Sequence, residues 1–211
     1  SRQTGAFRSG PEAVLGLLPD DAHALGALER IALETGDDAL LAVVDARLAE
    51  RGGDPAVQAS HRVRLAEALE ERDPARAMAE LKKALELDPQ SLAAARGVSR
   101  CAERTGDPRA MAAALRHEAG LGEDRPHAAR LLVRAGDIAF HDLGDARAAA
   151  TDHERALDLE PGSADAAARL LELLLAGGEA ARAVDRLSAA AAATKSDERR
   201  TELWSEVARL Q

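Results

Sequence analysis

The sequence predicts an all-α fold made by repeating one helix–turn–helix unit. Three observations carry that prediction. The first is composition: 50 of the 211 residues are alanine and 30 are leucine, while Phe7, Phe140 and Trp204 are the only aromatics and tyrosine is absent. Alanine and leucine lose little conformational freedom in a helix, whereas a β-sandwich or barrel fills its core with aromatic and β-branched side chains. The second is a short string that recurs at steps of about 36, 34, 38 and 34 residues: Gly36-Asp37, Arg72-Asp73, Gly106-Asp107, Gly144-Asp145 and Gly178-Glu179. The third is the helical spacing of apolar residues between these marks, as in Ala77, Met78, Leu81, Ala84 and Leu85.

Each element follows from these marks in chain order. Residues 1–19 read as a tail and a partial unit, with Pro11 to Pro19 as the end of a second helix. Residues 20–53 form a first unit that turns at Gly36-Asp37 and closes at Gly52-Gly53. Residues 54–89 form a second, opening on Asp54-Pro55, turning before Asp73-Pro74 and closing on Asp88-Pro89. Asp accepts hydrogen bonds from the free N–H groups of a helix start and Pro tolerates the first helical position, so Asp-Pro marks a beginning. A Pro after the last helical residue marks an end. Residues 90–122 form a third unit around Gly106-Asp107-Pro108, and residues 123–162 a fourth that turns at Gly144-Asp145 and closes on Glu160-Pro161. In the fourth, the first helix runs one residue long near His141 to Leu143. Residues 163–194 form a fifth around Gly178-Glu179, with Leu170, Leu171 and Leu174 on one face of its first helix. Residues 195–211 read as a first helix without its partner, and Leu203, Trp204, Val207 and Leu210 are expected to leave an apolar stripe on its surface. Gly36, Gly106, Gly144 and Gly178 stand where a helix ends in a left-handed residue.

The stretch 73–91, DPARAMAELKKALELDPQS, resembles the tetratricopeptide (TPR) family. It carries the small residue early in the second helix (Ala77), the bulky one a turn later (Leu81), the next small one (Ala84) and the closing Pro89. Ala149, Ala156 and Pro161 match in the same places, as do Ala183, Leu187 and Ala190. In the first helices Val98-Ser99, Ala135-Gly136 and Leu170-Leu171 take the place of the family's bulky–small pair, and Trp204 with Val207-Ala208 fits the opening of another. Leu41, Leu48, Met111 and Glu118 depart from the pattern and should change local packing angles. The resemblance, to an array of bacterial type, covers residues 20 to 211. It implies about five repeats plus partial terminal units, stacked as a right-handed superhelix whose first helices line a concave, peptide-binding groove.

On that alignment Arg62, Arg96, Arg100, Arg104, Arg130 and Arg134 fall on the groove side. Arg96, Arg100 and Arg104 are four residues apart and share one helix face. Opposing acids are fewer, namely Glu70, Glu103 and Asp137. Arginine grips carboxylates bidentately, so these six are the expected ligand-binding residues. A charge row is also an ordinary solvated face, and abundant Arg with only three Lys also fits a GC-rich genome. The family's carboxylate clamp, which uses Lys and Asn, is not expected, because the chain has no Asn and its three Lys lie elsewhere.

Several classes of chemistry are not expected. A net charge of −9 and a pI near 5.2 oppose binding to phosphate backbones. No run of 18 apolar residues suggests membrane insertion. The six histidines lack metal-ligand spacing, and Asp137 with His141, one helical turn apart, supplies only two ligands. Cys101 has no disulfide partner and is expected to be a packed thiol, which favours a reducing compartment, the cytoplasm first. No Gly-rich phosphate loop or nucleophile–base pair is present, so neither a cofactor nor catalysis is expected. Without an initiator Met or an apolar leader run, the chain reads as an excised piece of a longer protein with a cloning scar at Ser1. The expected function is a non-catalytic scaffold binding a peptide segment in the groove, an acidic one if the arginines are selected. The alternative is a structural spacer, or self-association through the repeat ends at Leu15, Leu18 and Trp204.

Overall fold

The computed structural model describes residues 9–18, 20–51 and 53–211. Among them there are twelve α-helices and no strand. Helices α1 to α6 are Ser9–Leu17, Ala22–Thr35, Asp38–Glu50, Pro55–Leu69, Pro74–Leu87 and Leu92–Thr105. Helices α7 to α12 are Pro108–Leu121, Arg125–His141, Ala146–Leu159, Ala164–Ala176, Ala180–Ala193 and Asp197–Leu210. The chain forms two compact units, Ser1–Thr105 and Gly106–Gln211. No helix of the described residues is long and apolar enough to cross a membrane.

Local chemistry accounts for the helix starts. Asp54, Asp73 and Asp107 each precede a Pro at the first turn, and their carboxylates accept from the N–H groups of Ala56, Arg76 and Ala110 at 2.9, 3.0 and 3.0 Å. Asp21, Asp37, Asp124 and Asp145 do the same for α2, α3, α8 and α9. Glu179 does not cap α11; its longer side chain takes Arg182 at 2.9 Å instead. Left-handed glycines follow four helices, at Gly36 (φ 67°), Gly106 (φ 64°), Gly144 and Gly178, and at Gly36, Gly144 and Gly178 the chain reverses between helices that pack on each other.

In the first unit successive helices pack in order from α1 to α6, and α4 also touches α6. Leu25, Leu28 and Val44 are fully or almost fully buried, with Val14, Leu15, Leu40 and Leu48 against them. Leu15 is thus part of a core, whereas Leu17 and Leu18 of the same end are 81% and 51% exposed. Further along, Ala77, Leu81 and Ala84 face inward, and alanines on α6 let that helix approach closely.

In the second unit packing again runs in order from α7 to α12, with α9 also against α11. Its main core joins Leu132, Leu157, Leu170, Leu174 and Leu187 to Leu203 and Val207 of the last helix. The stripe expected to be exposed on α12 is therefore mostly internal. Leu203 and Val207, one helical turn apart, turn into the core, Leu210 packs at its edge, and Trp204 stays 45% exposed. Helix α8 has 17 residues against 13 to 15 in α4, α6 and α10, a larger excess than the single residue expected near His141.

Candidate functional site

The arginine row stands on α6. This helix buries Ala94, Ala95, Val98, Cys101 and Ala102, which sends Arg96, Arg100 and Arg104 to the outer face. Arg100 grips Glu70 through two contacts of 2.9 Å, Nε to Oε1 and a terminal nitrogen to Oε2. Arg104 donates to Glu71 at 2.6 Å. Glu70 and Glu71 lie just past the end of α4, where the helix dipole disfavours negative charge. The arginines reverse that balance: the hydrogen bond from Arg100 holds the Glu70 carboxyl below the usual carboxylate range, and that from Arg104 does so for Glu71. The Arg100 and Arg104 side chains remain 50% and 42% exposed.

The other expected arginines differ in placement. Arg62, on α4, is only 15% exposed; it pairs with Glu80 of α5 at 2.6 Å and donates to the Ala49 carbonyl of α3 at 3.1 Å. Burial pushes the Glu80 carboxyl up, but the hydrogen bonds from Lys83 and Arg62 outweigh it and leave it lowered. Arg62 thus fastens three helices of the first unit together. Arg130 and Arg134 are exposed on α8 of the second unit, one turn apart.

Composition gave no sign of the buried charges. In the first unit Asp45 of α3 has no exposed surface. It meets His61 Nδ1 at 2.8 Å and two nitrogens of Arg64 at 2.6 and 3.1 Å, and Arg64 also holds Glu29 of α2. Glu29, Asp45 and His61 converge closely enough to suit a metal ion. The terminal nitrogen of Arg64 is within 2.8 Å of His61 Nδ1 and bonded to both carboxylates, so the guanidinium already supplies the positive charge at that point. The cluster is an internal ion network joining α2, α3 and α4.

The second unit has counterparts. Arg116 of α7 grips Asp152 of α9, whose side chain is 3% exposed, at 2.7 and 2.8 Å. His153, beside it, is 1% exposed and its Nδ1 has no hydrogen-bond partner among the described residues. Its Nε2 lies 3.8 Å from Asp137, and Asp137 pairs with Arg169 of α10 at 3.0 Å. Burial pushes the His153 imidazole below its ordinary pKa. Asp137 is therefore engaged with both Arg169 and the edge of His153.

A cleft of about 550 Å³ opens between α10 and α12. Leu187 and Leu203 form its floor. Along α10, Ala164, Ala168, Leu171 and Leu175 line one wall at helical spacing, with Leu175 43% exposed. The rim carries Asp165, Glu172, Glu202 and Glu206 against one guanidinium, that of Arg199, which donates to Glu202. Helical spacing marks the leucines of α10 and α12 as apolar faces but does not place them in one cleft; the i, i+4 acids of α12, Glu202 and Glu206, are the signal the sequence carries.

Cys101 is fully buried, and burial pushes its thiol pKa up, which removes thiolate at neutral pH. No family model matches the chain, and no curated protein matches it. Two solved structures of MamA are similar to it. One is 15% identical over 96% of this chain and 96% of that one; the other is 17% identical over 84% and 95%. Both have a TM-score of 0.43.

Proposed function

We propose that the chain is a tetratricopeptide-type scaffold without catalytic function, holding a segment of another protein against the outer faces of the first helices of its pairs. Arg62, Arg96, Arg100, Arg104, Arg130 and Arg134 are its proposed ligand-binding residues, and an acidic segment is the preferred partner. The observation that carries this reading is the pair Arg100 and Arg104. Both are about half exposed, and both already hold carboxylates in the free chain. Glu71 is 80% exposed, so a partner carboxylate can replace it on Arg104 at little expense. Arg62 enters the proposal as a second, more enclosed carboxylate holder. The buried small–bulky–small face of Ala77, Leu81 and Ala84 supports the repeat type.

The test is binding of a peptide library to the purified chain at low and moderate salt, beside the Arg96→Glu, Arg100→Glu, Arg134→Glu variant. Acidic peptides should bind the parent, weaken with salt and miss the variant. Equal binding by the variant, or none by the parent, removes the reading.

A second reading is a spacer that associates through its ends, favoured by Leu17 and Leu18, at 81% and 51% exposure where α1 ends. Sedimentation over a hundredfold concentration range separates the two. Self-association increases the particle size with concentration and is indifferent to the arginine substitutions.

A further inference from the structure

We infer that the cleft between α10 and α12 is a second docking surface, of opposite charge preference, for an amphipathic segment of another protein that carries leucine-class side chains flanked by lysine or arginine. The inference rests on the scaffold reading, since α10 and α12 are first helices of their pairs, and gives this part of the second unit a partner of its own. It uses none of the six arginines.

Two features of the cleft select that chemistry. The first is the wall on α10. Ala164, Ala168, Leu171 and Leu175 follow at i, i+4, i+7 and i+11, a continuous apolar line over three turns. The alanines leave room between the two leucines and the floor, and a volume of about 550 Å³ admits several apolar side chains of a partner. An apolar line of that length with acids beside it matches the geometry of helix-in-groove recognition.

The second is charge. Asp165 and Glu172 edge the cleft on α10, and Glu202 and Glu206, one turn apart, edge it on α12. Like charges four residues apart on a helix repel each other. Arg199 and Arg209, each three residues from its acid, relieve this only in part, by pairing with Glu202 and Glu206. A cationic partner completes the neutralisation, and the chain's net charge of −9 adds a long-range attraction for it. An acidic partner meets a rim of its own sign.

The test uses the 211-residue chain and two fluorescein-labelled helical peptides of identical leucine pattern, one with lysine and one with glutamate at the polar positions. Anisotropy titrations are run with the parent, with Glu202→Lys, Glu206→Lys, and with Leu175→Glu; far-UV circular dichroism checks that both variants keep their helix content. A control, Glu34→Lys, Glu86→Lys, makes the same change of net charge on exposed surfaces of the first unit. The lysine peptide should bind the parent at least tenfold tighter than the glutamate peptide. It should lose at least tenfold with each cleft variant and less than twofold with the control. The Arg96→Glu, Arg100→Glu, Arg134→Glu variant should bind it as well as the parent, which separates this surface from the arginine face. Failure of the lysine peptide to bind, equal binding of both peptides, or an equal loss in the control overturns the inference. The last outcome assigns the attraction to overall charge.

Discussion

The imidazole of His153 lies directly over Gly136. A Cβ placed on Gly136 would come 2.7 Å from His153 Cε1 and 2.8 Å from Nε2. The two residues face each other across the α8–α9 pair, and the missing side chain of one is the space occupied by the ring of the other. A rigid, fully buried ring cannot turn away as the end of a leucine can. Gly136→Ala should therefore destabilise the chain by about 1–3 kcal/mol through overpacking, even though alanine is the better helix former. His153→Ala alone should also destabilise, by leaving a cavity. The double variant should be more stable than the sum of the two losses, and urea denaturation of all four proteins measures that coupling.

The same burial makes His153 sensitive to pH. Desolvation favours its neutral form; Asp137 and Asp152 oppose the shift, Arg169 assists it, and the net pKa is lowered from the ordinary 6.5. Below that ordinary value the unfolded chain takes up the proton more readily than the folded one, so stability falls as pH falls. It is complete above about 6.5 and is lost progressively below. The urea midpoint of the parent should drop between pH 7.5 and 5.5. His153→Leu should show a smaller drop over the same interval, and the remaining histidines, common to both, cancel in the comparison. A pH dependence identical in the two proteins counts against the assignment.

The network around Asp45 makes a different prediction. Removing one partner of a buried pair leaves an uncompensated charge, which costs about 3–5 kcal/mol, while replacing both by apolar or neutral groups costs much less. Arg64→Met strips Asp45 of its strongest partner while the carboxylate stays fully enclosed. Arg64→Met should thus be severely destabilising, and Asp45→Asn, Arg64→Met should recover a large part of the loss. By contrast, Glu71→Gln removes only a pair between exposed side chains and should leave the midpoint nearly unchanged. Thermal melts of the four proteins at one salt concentration decide it.

These contrasts show which parts of the molecule are readable from the chain alone. Helix starts at Asp54, Asp73 and Asp107 were, because a cap acts within three residues of itself and needs no knowledge of the fold. The inward face of α5 was readable for a similar reason: Ala77, Leu81 and Ala84 repeat with the helix period. Asp45 was not. Its partners are 16 to 19 residues away on α4, and an acid between valine and alanine gives no sign of facing inward. The one face shared by Arg96, Arg100 and Arg104 followed from spacing, but that Arg62 reaches across three helices to Glu80 and Ala49 did not. The cleft between α10 and α12 needed the separation of two helices, which no periodicity specifies. Leu203 and Val207 were legible as apolar and misread as exposed, since a terminal helix still has the preceding one to bury against.

Two glycines near α7 should respond to alanine with opposite signs. Gly106 ends α6 at φ 64°, in the left-handed region where a Cβ crowds the following carbonyl; alanine there costs about 1–2 kcal/mol whatever space surrounds it. Gly120 lies inside the last turn of α7, exposed, with nothing within 4 Å of an added Cβ. Alanine there loses no contact and reduces the freedom of the unfolded chain, so it should stabilise by about 0.4–1 kcal/mol. The neighbouring cap gives an internal scale: Asp107→Ala removes the acceptor of the Ala110 N–H and should cost about 1 kcal/mol. Denaturation midpoints should rank Gly120→Ala above the parent, with Asp107→Ala and Gly106→Ala below it. If Gly106→Ala melts with the parent, the left-handed backbone at that residue is not what ends α6, and the chain there must relax into another conformation without loss.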